Sequence, residues 1–208
     1  MDLAELSPQL TGTIHFIQPV EPFDNVFGDG GDDFFNYYCR HNWIAYQYLE
    51  NGRCSLGCDF RFFELARLES QHPESFGDAA RLDAILKHYE DVHSGFRESR
   101  DYFFHHGCLY SRPEAAPTPD LRKLELLMAL GGPSEEHSCN WAALSQTVPL
   151  NEDPGNSLPL TPDGREFIFV GELVSFHYVW SRHYALGCNL LLFYDPMTRT
   201  ALTTFDWS

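Results

Sequence analysis

Lysine is almost missing from this chain: Lys87 and Lys123 are the only two in 208 residues, and residues 1–39 contain neither lysine nor arginine. Thirty acidic residues stand against fourteen basic ones, a formal net charge of −16. A field of that sign repels phosphate backbones and anionic membranes, which argues against nucleic acid or a membrane surface as the partner. It speeds encounter with a basic protein instead. Acidity can also serve solubility alone. Here it is uneven: residues 1–39 carry seven acids and no base, 40–133 fourteen acids and eleven bases, and 134–208 nine acids and three arginines. Solubility requires no such asymmetry.

The chain also lacks any run near the eighteen apolar residues that a membrane helix needs. Its start, Met1-Asp-Leu-Ala-Glu-Leu6, has no basic stretch and no apolar core of a secretion signal, so a cytoplasmic protein is expected. In that setting the six cysteines (39, 54, 58, 108, 139 and 188) are expected as free thiols. What the chain does have is aromatic residues, with 17 Phe and 10 Tyr, enough apolar surface to offset the entropy of ordering.

Thr11–Gln18 reads as a strand, which Pro19, Pro22 and Gly28-Asp-Gly-Gly-Asp-Asp33 interrupt. Asp32 or Asp33 then caps a predicted helix over 34–49, with Phe35, Tyr38, Cys39, Asn42, Ala45 and Leu49 on one stripe. Further helices are predicted over 59–69, 78–92 and 96–104. Arg112–Pro119 reads as a linker. A capped helix follows it, with Thr118 as cap and Pro119 in the first turn, and Gly131-Gly132 ends it. A short helix is expected around 140–146 and a polar loop over 149–164. Phe167–Val170 and Leu190–Tyr194 are strand-length apolar runs, and the turn Asp195-Pro-Met-Thr198 leads the second into a hairpin with Thr200–Phe205. The expected fold is α+β: a helix-rich N-terminal two thirds packed on a mostly antiparallel C-terminal sheet. One compact domain over 1–208 is expected, and any subdivision falls between a mainly helical 1–111 and a helix-plus-sheet 118–208.

Catalytic signatures are absent too. There is no Gly-x-Ser-x-Gly elbow, the glycine-rich segments lack a phosphate-loop lysine, and the aspartates of 24–33 do not follow the order of a calcium loop. Glu135-Glu136 and Glu152-Asp153 read as solvated charge rather than an acid/base pair. Cys54-Ser-Leu-Gly-Cys58 has the spacing of one half of a zinc site, and His106 with Cys108 would be the other half. The second half has no clean spacing, and Cys39 and His41 point to different faces of the predicted helix, so buried thiols and surface histidines are the preferred reading and no cofactor is expected. Aromatics beside acids remain: Asp24, Asp29, Asp32 and Asp33 flank Phe34 and Tyr37. A basic partner would use such a set, with aromatic anchors in the middle and charge at the rim. The same aromatics would equally build a larger core.

The C-terminal third, through Gly131-Gly132-Pro133, Trp141, Phe167–Leu173 and Leu190–Tyr194, resembles the YwqG-like family of bacterial proteins, found near polymorphic toxin genes. Glu172 stands where that family has a glutamine, and the spacing after Trp141 is long. The resemblance implies a cytosolic immunity protein, or antitoxin, which has no active site of its own and occludes that of a basic toxin. The expected function is therefore an acidic, non-enzymatic inhibitor that binds a toxin through the acids of 24–33, Phe34 and Tyr37. The alternatives are a Cys/His metalloprotein or enzyme, a subunit of a larger assembly, and a phage-encoded nucleic-acid mimic.

Overall fold

The computed structural model describes residues 1–18, 20–21, 28, 30–41, 43–50, 52–70, 79–111, 122–124, 127–132, 147–149, 157–176 and 185–207. Its centre is a seven-stranded antiparallel sheet. Strands β1 (Cys39–Arg40), β2 (Trp43–Tyr48) and β3 (Cys54–Leu56) come from the first third of the chain. Helices α1 (Glu64–Ser70) and α2 (Ala79–His106) follow, then β4 (Leu109–Ser111), β5 (Arg122–Leu124), β6 (Leu127–Leu130), β7 (Thr147–Pro149) and β8 (Ser157–Pro159). The chain closes with β9 (Ile168–Phe176), β10 (Ala185–Asp195) and β11 (Thr200–Trp207). The sheet order is β1-β2-β11-β10-β9-β6, with β3 also on β2, while β4–β5 and β7–β8 form separate two-stranded ladders.

The central strands are buried on both faces. Trp43, Ala45, Leu191, Phe193 and Leu202 meet Leu158, Phe167 and Phe169 in one cluster. From the opposite face Tyr46, Tyr48, Leu192, Tyr194 and Ala201 pack against Leu3 and Ile14 of the N-terminal segment. Asp195 fixes the β10–β11 turn. Its carboxylate accepts from Met197 N at 3.2 Å, Thr198 N at 3.3 Å and Thr198 Oγ1 at 2.6 Å, and takes the Arg165 guanidinium at 2.5 and 3.1 Å.

This architecture corrects the expected fold class: the N-terminal two thirds are not helix-rich, and strands from both ends of the chain share one sheet. The helix predicted over 34–49 is instead β1 and β2, preceded by a 3-10 turn at Asp32–Phe34. Five of the six β2 residues are buried, so its apolar positions do not alternate and their spacing mimics a helical stripe. The helix predicted to end at Gly131-Gly132 is β5 and β6 where the chain is described; Thr118 and Pro119 lie outside those residues. There the open edge of β9 captures Leu127–Leu130, overriding local helix propensity. Thr11–Gln18 is not a ladder strand. It covers one face of the sheet and contributes only the bridge Asp2↔Thr13. The helices predicted over 78–92 and 96–104 are one, α2, which passes through buried Gly95 without a break. The helix predicted from Asp59 begins as a 3-10 turn at Phe60–Phe62 before α1. The C-terminal hairpin forms where expected. The helix expected at 140–146 lies outside the described residues.

Candidate functional site

Two 3-10 turns, Asp32–Phe34 and Phe60–Phe62, pack together at the β1 end of the sheet. The glycine-rich run exists at this place for a steric reason. A Cβ on Gly28 would stand 2.6 Å from the ring of fully buried Phe62, and one on Gly31 would stand 2.7 Å from the Phe62 carbonyl. Phe62 thus anchors one turn, and only bare backbone lets the other approach it.

The outer side of this pair carries charge and one open ring. Asp59 caps its turn, accepting from Arg61 N at 2.8 Å and from the Arg61 guanidinium at 3.0 and 2.6 Å. Those hydrogen bonds hold the Asp59 carboxyl down to about 2, so it is ionised at any physiological pH. The Arg61 guanidinium also lies over the Phe34 ring, 4.7 Å from its centroid. Asp32 and Asp33 are exposed, with Asp32 3.8 Å from His41. Phe60 stands 68% exposed between Asp59 and Arg61.

The residues expected from sequence therefore divide. Asp32, Asp33 and Phe34 share this surface, with Phe34 half-buried beneath Arg61. Tyr37 is half-buried, its hydroxyl donating to the Leu160 carbonyl at 2.5 Å, and burial followed by the neighbouring Tyr38 raises its pKa. Asp24 and Asp29 lie outside the described residues. Of the metal candidates, Cys54 is exposed on β3, Cys58 follows that strand, His106 stacks on Tyr102 at 4.1 Å, and Cys108 is half-buried after α2. Among the described residues no three His, Cys, Asp or Glu side chains are grouped to hold a metal ion. Nor does any described helix have the length and apolarity to cross a membrane.

Two features escape sequence reading. Phe60 follows a helix-cap aspartate and sits in a helical pattern, which gives no sign that its ring faces outward. The other is a cleft of about 700 Å³ lined by Leu10, His15, Tyr48, Glu50, Tyr194 and Arg199. Its wall is tied by His15 N donating to the Tyr48 hydroxyl at 2.6 Å, and burial pushes Tyr48 up to about 12. Arg199 reaches the rim from a left-handed backbone (φ 56°) at the end of the four-residue β10–β11 loop, and no sequence signal connects it to the N-terminal segment. Comparison with protein-family models, curated proteins and solved structures returns no match.

Proposed function

We propose that this chain is a binding protein for a basic protein partner, with Asp32, Asp33, Asp59 and Phe60 at the contact. The observation that carries this reading is the open Phe60 ring beside the Asp59–Arg61 pair, with Asp32 and Asp33 exposed on the turn packed against it. An exposed aromatic is the residue type that anchors an interface, and charges around it steer association. The net charge of −16 supports a partner of opposite sign. That the partner is a toxin, and the chain its cytoplasmic antitoxin, rests on the C-terminal resemblance to YwqG-like proteins.

Co-expression with the product of the adjacent gene, followed by surface-based kinetics, tests the proposal. Phe60→Ala is expected to raise the dissociation rate roughly 10- to 100-fold, as loss of an interface anchor does. The double reversal Asp32→Lys/Asp33→Lys is expected to slow association about tenfold at low salt and to flatten its salt dependence. Unchanged kinetics in both variants would move the interface elsewhere.

A further inference from the structure

The turn segment before β1 and the segment after β3 are clamped together by one side chain. Asn36 Oδ1 accepts from Tyr38 N at 2.8 Å and from Cys39 N at 2.9 Å, while its Nδ2 donates to the Gly57 carbonyl at 2.8 Å. Both segments also converge on the Ala45 carbonyl of β2. Gly57 N donates to it at 2.8 Å, and the Cys39 thiol approaches it at 3.9 Å. The reason is topological: β1 and β3 pair with the same edge of β2, Cys39 opposite Ile44 and Leu56 opposite Tyr46. Cys39 and Cys58 are thereby brought together in one apolar cluster with Ile44, Phe62 and Leu190.

From this geometry we infer that Cys39 and Cys58 form a redox-active dithiol, a site of reversible modification by low-molecular-weight disulfides such as oxidised glutathione. The two sulfurs are unequal. Cys39 is fully buried and Cys58 half-buried, so reagent enters at Cys58. Cys58 loses its proton to water and attacks one sulfur of the glutathione disulfide, while Cys39 keeps its own. The S–S bond of the reagent breaks, a mixed disulfide forms at Cys58, and the first glutathione leaves as a thiolate that water protonates. The Cys39 sulfur then attacks the Cys58 sulfur and expels the second glutathione, which takes the Cys39 proton. The protein pair loses two electrons and the reagent gains them. The product closes a loop of about 20 residues around β2 and β3 and ties down the segment carrying Asp32 and Phe34.

The experiment uses full-length Cys54→Ser protein, in which exposed Cys54 cannot compete. After incubation with oxidised glutathione, peptide mapping without reductant is expected to find Cys39 linked to Cys58, with the midpoint of thermal unfolding raised by roughly 5–10 °C. Dithiothreitol should reverse both. Adding Cys39→Ser should arrest the reaction with glutathione on Cys58. Because substitution of a buried thiol can impair folding, Cys58→Ser supplies the second arm: Cys39, shielded, should then stay unmodified in the folded protein. Glutathione persisting on Cys58 beside an intact Cys39, a link from Cys39 to another cysteine, or modification of Cys39 in the folded Cys58→Ser protein would each overturn the assignment.

Discussion

The β10–β11 hairpin and helix α2 are bound to the rest of the molecule in opposite ways. In the hairpin every residue from Leu190 to Asp195 and from Thr200 to Thr204 is buried, and the ladder runs unbroken from Cys188↔Trp207 to Asp195↔Thr200. Helix α2 has 28 residues and buries only Ile85, Val92, Gly95 and Ser99. Its other ties include Arg81 to the Glu64 carboxylate at 2.5 Å and the Tyr89 hydroxyl to the Val20 carbonyl at 3.2 Å. Both are regular, backbone hydrogen-bonded elements, so the difference lies in apolar burial, the larger contributor to stability. The hairpin therefore sets global unfolding, and α2 belongs to the part of the structure that opens at lower cost.

Phe193→Ala is the strongest way to break this comparison. Phe193 is fully buried in the cluster of Trp43, Leu191 and Leu202, with the Phe169 ring 5.6 Å away. Removing it should cost about 3–5 kcal/mol, read from chemical denaturation followed by circular dichroism. A loss under about 1 kcal/mol would mean that the hairpin is not the centre of stability.

The next effect comes from the hairpin turn. Asp195 is almost wholly buried and its pKa is lowered: burial pushes it up, but Arg165, Thr198 and the Met197 amide more than offset that. A carboxyl whose folded pKa lies below its unfolded value adds stability that is fully present above the unfolded value, near 3.9, and disappears as pH falls through the folded one. Asp195→Asn should therefore cost about 2 kcal/mol at pH 7, and the gap from wild type should narrow as pH falls below about 4. A gap independent of pH would show that Asp195 acts by shape alone.

The same contrast explains what could be read in the sequence. The hairpin was legible because a turn signal, Asp195-Pro-Met-Thr198, separates two apolar runs, and α2 was legible as helical, though as two pieces, through Leu82, Ile85, Leu86 and Tyr89. Strand β2 was not, because burial on both faces removed the alternation that identifies a half-exposed strand. Of the candidate surface, Asp32 and Asp33 were legible beside the glycines. Phe60 was not, since its exposure depends on how two turns pack. The Cys39–Cys58 pair was hidden for the same reason: it exists only because β1 and β3 share one edge of β2.

The smallest expected effect sharpens the comparison most directly, because it repeats the Phe193 truncation on the other element. Phe104 is 76% exposed near the end of α2, so its ring is largely in water before and after unfolding. Truncation to alanine removes little buried area and leaves no cavity, which confines the change to about 0.5 kcal/mol. Its sign should favour the variant, since alanine loses less side-chain freedom in a helix than phenylalanine does. Thermal unfolding of the two variants side by side measures the ratio. A large loss from Phe104→Ala would place α2 on an apolar partner surface, and the division between a bound hairpin and a lightly held helix would fall with it.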